Sequence, residues 1–137
     1  MNIRKINHIG IVVDNLARSK QTFGEGLGLP HLKDESVEEF HCKIAFFQCG
    51  EVMIELIEPT GPGPSEAFLR SHGEGIHHIC YEVEDIHAAL EQAKERLATD
   101  YDQPKSGAGG SQVFFLDPKS CCHVETEFVQ PAAPPRA

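Results

Sequence analysis

At 137 residues and 40% hydrophobic composition, the chain has the size of one domain, or of two half-domains sharing a core, and the apolar content of an ordinary folded protein. A formal net charge of −9, with no basic run of five or more residues, argues against nucleic acid or an anionic membrane as the main partner. Five cysteines without CxxC spacing read as reduced, buried thiols, no apolar run approaches the ~18–20 residues of a membrane helix, and a cytoplasmic location is expected.

Residues 3–13 read as a strand, with Ile9, Ile11 and Val13 on a face that a helix can cover and His8, Gly10 and Val12 on the other. Asn15 is placed to cap a helix reaching about Phe23, which Gly24, Gly26 and Gly28 end. Residues 30–39 are polar and acidic and read as a connection with little order, a strand being only weakly marked near 31–40. Residues 43–48 form a strand, Cys49-Gly50-Glu51 a tight turn and residues 52–58 the hairpin partner. The first half is therefore βαβββ-like.

The run from Pro59 to Pro64 can sustain neither helix nor sheet and marks a boundary, after which Ser65 is expected to cap a short helix over 66–71. A strand over 75–83 carries His77 and His78. Asp85 then caps a helix whose apolar stripe is Ile86, Ala89, Leu90, Ala93 and Leu97. A glycine-rich loop over 106–111 leads to a strand at 113–116, a turn at 117–120 and a last strand over 123–129. Residues 1–131 thus make one domain of two modules, 1–60 and 74–131, joined by a linker at 61–73. Residues 132–137 read as a disordered tail by composition.

The two modules repeat each other. Aligning His8 with His78, seventy residues on, also aligns Ile9 with Ile79, Val13 with Val83 and Asn15 with Asp85. The segment Met53 to Pro59 aligns with Glu125 to Pro131 at an offset of seventy-two, matching Glu55 with Glu127. Placed side by side about a pseudo-twofold axis, such halves bring His8, Glu55, His78 and Glu127 into one cleft. Two imidazoles and two carboxylates suit a divalent first-row ion with positions left for water or substrate.

The strand around Asn7-His8-Ile9-Gly10, the segment Ile54 to Pro59, the run Gly73-Glu74-Gly75-Ile76-His77-His78-Ile79 and the stretch Ser106 to Ser120 resemble the vicinal-oxygen-chelate superfamily, and within it the methylmalonyl-CoA epimerase family. The resemblance implies an α+β, glyoxalase-like fold: two βαβββ modules forming an open, cup-shaped mixed sheet, in a homodimer. It also implies one divalent ion per chain, Co, Mn, Zn, Ni or Mg, held by a ligand set that falls on His8, Glu55, His78 and Glu127. The implied partner is an acyl-CoA thioester, with Gly109, Gly110 and Lys119 as substrate-binding candidates. The implied reaction interconverts the 2R and 2S forms of methylmalonyl-CoA by α-proton abstraction.

Such an inversion needs an acid–base group on each face of the carbon. Glu127 is one candidate, and Glu125 and Lys43 compete for the other role. Some family members carry a glutamate where this chain has Lys43, the family's His before Pro-Lys is here Asp117, and Glu125 stands where an apolar residue is usual. Strand alternation puts Glu125 on the face of Glu127 and His123, and puts His77 opposite His78, in a structural role or as a support to the ligands. A glyoxalase I-like lyase or isomerase, or a small-molecule-binding protein of the same fold without chemistry, is the alternative.

Overall fold

The computed structural model describes residues 1–133. It contains eight strands and three α-helices: β1 (Ile3–Val12), α1 (Leu16–Gln21), β2 (His31–Val37), β3 (Cys42–Cys49), β4 (Val52–Pro59), α2 (Pro64–His72), β5 (Gly75–Val83), α3 (Ile86–Arg96), β6 (Lys105–Ser106), β7 (Gln112–Phe115) and β8 (Thr126–Gln130). Its contacts divide the chain into two compact units, Asn7–His78 and a second built from Met1–Ile6 and the chain from Ile79 on. The division runs through β1 and β5 instead of through the proline-rich linker.

Within the first unit, β2 pairs antiparallel with β3, β3 antiparallel with β4, and β4 parallel with β1. In the second, β5 pairs parallel with β8, β8 antiparallel with β7, and β7 antiparallel with β6. Each set is one βαβββ module, so the α+β fold expected from the repeat is the fold observed.

Local chemistry explains most element ends. Asn15 accepts the Arg18 N–H through its side chain, Asp85 accepts those of His87 and Ala88, and both act as N-caps. Past α1 the chain continues through a π-helical turn, Thr22–Gly26, in place of a longer α-helix. The Leu16 N–H is taken by Glu58 Oε1 at 3.1 Å, so this carboxylate also anchors α1 to β4.

Three expectations change, and a fourth is only partly covered by the described residues. The acidic segment 30–39 is a regular strand, β2, whose ladder with β3 supplies the order its composition did not advertise. Ser65 does not cap α2: the cap residue is Gly63, and Ser65 is buried inside the first turn with a hydroxyl that has no hydrogen-bond partner among the described residues. The last strand begins three residues later than expected, because Cys122 and His123 adopt positive φ and turn the chain before it. Of the tail expected over 132–137, residues 134–137 lie outside those described.

Each unit has its own core. In the first, Val13, Ala45, Phe47 and Leu56 are buried, with Ile11, Leu16, Phe23 and Ile54 packed against them. In the second, α3 places Ile86, Ala89, Leu90 and Ala93 on Val83, Phe114, Leu116 and Phe128. Among the described residues, no helix is long and apolar enough to cross a membrane.

Leu56 has no exposed surface. Leu56→Ala is expected to cost ~2–5 kcal/mol in urea unfolding. Ser65→Ala removes an unpaired buried hydroxyl and is expected to stabilise the protein by ~1 kcal/mol, read as a rise in the urea midpoint at constant slope.

Candidate metal centre

The register between β1 and β4 pairs His8 with Met53, Gly10 with Glu55 and Val12 with Ile57. Paired residues share a sheet face, so His8, Gly10 and Glu55 lie together on the side opposite the apolar core of this unit. That placement follows from alternation: Ile9, Ile11 and Val13 turn toward α1 and force the histidine to the other side.

His8, Glu55 and His78 are each about 5–6% exposed. His8 Nε2 lies 3.0 Å from His78 Nε2. His8 Nδ1 lies 2.8 Å from Glu55 Oε2 and 2.7 Å from Asn7 Oδ1. Glu55 Oε2 and Asn7 Oδ1 thus both face Nδ1 of His8. Two nitrogens at right angles on an ion with ~2.1 Å bonds would stand ~3.0 Å apart, so the two Nε2 atoms have the separation of neighbouring ligands on an octahedral ion. The donor set, two imidazoles beside a buried carboxylate, also fits.

Gly10 makes this approach possible. A Cβ at Gly10 would stand 2.2 Å from His78 Cε1, 2.6 Å from Nδ1 and 2.7 Å from Nε2, so the His78 ring occupies the space that any other residue would need. Alternation had put Gly10 on the face of His8 without giving it a reason.

His77 departs from the expectation of a residue turned away from the site. Its Nδ1 is 2.8 Å from His78 Nδ1, and its ring meets Phe68 of α2 edge-on at 5.0 Å. The contact fits the supporting role allowed for His77, since alternation separates adjacent side chains by face but does not stop two long rings from meeting.

Lys43 is a correction. In the β3–β4 hairpin Cys49 pairs with Val52 across the two-residue loop Gly50-Glu51, Phe46 pairs with Glu55, and Lys43 pairs with Glu58. Lys43 therefore shares the face of Ala45 and Phe47, on the α1 side, and is exposed. It is not brought to Glu55. A three-residue turn at 49–51 would pair Gln48 with Val52 and put Lys43 on the face of Glu55; the shorter loop flips every side chain of the strand. The β3 residues that do share the face of Glu55 are Cys42, Ile44, Phe46 and Gln48. One strand further out, β2 pairs Glu35 with Ile44 and Lys33 with Phe46, and Lys33 Nζ lies 3.2 Å from Glu35 Oε2. The alternation Lys33, Glu35, Val37 was the available signal, hidden when the segment was taken for a connection.

In the second unit Glu127 is 7% exposed on β8, paired with Cys80 of β5 and Phe115 of β7. Glu125 is half-buried just before β8, and its carbonyl accepts the Ile79 N–H, which continues the β5–β8 ladder to it. Gly109 and Gly110 are exposed with φ of 63° and 76°, a conformation that suits glycine. Lys119 is exposed, its backbone N–H held by Asp117 Oδ1 at 2.9 Å.

The model of the Glyoxalase/Bleomycin resistance protein/Dioxygenase superfamily matches residues 7–115. The chain belongs to this superfamily. It is 40% identical over 137 residues to the ethylmalonyl-CoA/methylmalonyl-CoA epimerase of Cereibacter sphaeroides, covering 93% of this chain and 99% of that protein. It is 32% identical over 132 residues to the mitochondrial methylmalonyl-CoA epimerase of Homo sapiens, covering 94% and 75%. A solved methylmalonyl-CoA epimerase in complex with methylmalonyl-CoA and NH4+ superposes with a TM-score of 0.91 at 31% identity, over 96% of this chain and 97% of that one. The resemblance read from the motifs is thus a family relationship over nearly the whole chain.

Gly10→Ala is expected to displace the His78 ring and to lower stoichiometric uptake of a divalent ion at least tenfold in affinity while far-UV circular dichroism stays unchanged. Full occupancy of the variant in elemental analysis would contradict the role given to Gly10.

Proposed function

We propose that the protein is a metal-dependent epimerase of a 2-methyl-branched malonyl-CoA thioester, methylmalonyl-CoA being the first candidate. The observation that carries the reading is the convergence of His8 and His78 at 3.0 Å beside Glu55, on a chain 40% identical to an epimerase of this substrate class. We assign the ion to His8, Glu55, His78 and Glu127, one per chain, the set that the repeat and the family likeness give. Bound there, it would supply positive charge to the thioester oxygen on which negative charge develops as the α-proton leaves.

The chain's own residues then hold or move the proton. Glu127 is assigned to one side of the α-carbon. Glu125 takes the second assignment, because Lys43 lies on the other sheet face from Glu55, and the β3 residues on the face of Glu55, Cys42, Ile44, Phe46 and Gln48, include no carboxylate. Glu35, which shares that face one strand further out, is the competing carboxylate. Gly109, Gly110 and Lys119 are assigned to the acyl-CoA thioester, and the protein to a homodimer, on the same likeness.

The test is hydrogen–deuterium exchange at C2 of methylmalonyl-CoA in D2O, with metal restored after chelation. Exchange that depends on the metal and disappears in His78→Ala supports the reading; metal-independent exchange, or none with this and related acyl-CoA thioesters, refutes it. Lys43→Ala is expected to leave kcat within about twofold. Glu125→Gln should lower kcat by ~10²–10⁴-fold with metal retained; an unchanged rate there, with a loss of that size in Glu35→Gln, would transfer the role to Glu35.

A further inference from the structure

In the second unit the face that carries Glu127 is flanked unequally. Paired residues share a face, so Phe115 of β7 lies beside Glu127 on one side and Cys80 of β5 on the other, with Val129, Val113 and Lys105 in the next row. Phe114, Leu116 and Phe128 alternate to the opposite face and pack under α3. Residues directly opposite in an antiparallel pair have Cβ atoms ~4.5–5.5 Å apart. From β7, then, the Glu127 side chain is bordered by a phenyl ring, and from β5 by a small thiol with no exposed surface.

Phe115 is half-buried, and the segment that follows α3 holds it in place. Thr99 Oγ1 donates to the Phe115 carbonyl at 2.7 Å and accepts the Tyr101 N–H at 3.2 Å, which ties this segment to β7. The Tyr101 ring then stands 6.3 Å from that of Phe115, tilted by 46° less than a right angle is not needed here: the angle is 39°, within the range at which two aromatic rings attract. Lys105 Nζ lies 5.0 Å over the Tyr101 ring. Backbone and ring of Phe115 are thus both braced by residues 99–105.

A substrate whose reacting carbon comes within reach of Glu127 brings the alkyl group on that carbon against the side chains that flank the carboxylate. A phenyl ring favours an alkyl group, and a braced ring limits its length. In an apolar pocket one methylene changes kcat/KM by ~10–200-fold. We propose that Phe115 sets which 2-alkylmalonyl thioesters the site turns over, and that Tyr101 is a positioning residue that holds the Phe115 ring. The proposal rests on the role given to Glu127 above, and goes beyond it in naming what selects the acyl group.

The experiment measures metal-dependent exchange at C2 of methyl-, ethyl- and propylmalonyl-CoA by the wild type, Phe115→Leu, Phe115→Ala, Tyr101→Phe and Tyr101→Ala. Its readout is the ratio of kcat/KM for the propyl to that for the methyl substrate on one preparation, which cancels any loss of folded or metal-loaded protein. The wild type should disfavour the propyl substrate by ~10-fold or more, and Phe115→Ala should raise the ratio by ~10–200-fold. Phe115→Leu should raise it by less. Tyr101→Ala should move it in the same direction, while Tyr101→Phe, which keeps the ring, leaves it unchanged. If the wild type turns over all three substrates equally, or if both Phe115 variants keep the wild-type ratio, Phe115 does not select the acyl group and the epimerase reading stands. If Phe115→Ala raises the ratio and Tyr101→Ala does not, the role of Tyr101 is overturned. If the wild type exchanges none of the three, both the proposal and the epimerase reading fall.

Discussion

The structure of the site depends on one close approach, the His78 ring lying against the backbone of Gly10. Two strands can bring their side chains this near only where one of them has no Cβ. Because Gly10 leaves that space, the His78 nitrogen reaches His8 at 3.0 Å, and the carboxylate on the next strand can act on the same imidazole. The glycine is required by contact and not by turn geometry.

The rest of the first module follows from keeping His8 and Glu55 on this face while the other is packed against α1. Ile11, Val13, Ala45, Phe47, Ile54 and Leu56 turn toward α1 and exclude water there. Burying that face fixes the register, since a slip of one residue would move His8 and Glu55 into the core and expose Leu56. The Leu16 N–H bonded to Glu58 ties the helix to the strand that carries Glu55 two pairs away from Ile57 and one pair from Leu56, so helix position and site position are set by the same strand. In the second module α3 covers Phe114 and Phe128 in the same way, and Glu127 alternates to the opposite face.

The buried carboxylates and imidazoles are costly to hold in such a scaffold unless each has a partner. Here Glu55 Oε2 and Asn7 Oδ1 both stand beside His8 Nδ1, and the rings of His8, His78 and His77 follow one another at 3.0 Å and 2.8 Å, with Phe68 of α2 edge-on against the last.

The sequence by itself determined the repeat, the α+β class and the correspondence within that repeat of His8 with His78 and of Glu55 with Glu127, because periodicity and internal symmetry are properties of the chain that need no coordinates. Alternation also put His8 and Gly10 on one face, since strand period is fixed by backbone geometry. Three things were decided only by tertiary structure. The side of Lys43 hung on whether the β3–β4 loop has two residues or three, a difference that Cys49-Gly50-Glu51 does not declare and that reverses every side chain of β3. The strand character of His31–Val37 came from its ladder to β3, which outweighs the polar composition of the segment. The meeting of His77 with His78, neighbours on β5, and of the His78 ring with the backbone of Gly10, came from how the rings fill the space around them, a matter of distance that no pattern of residue types records.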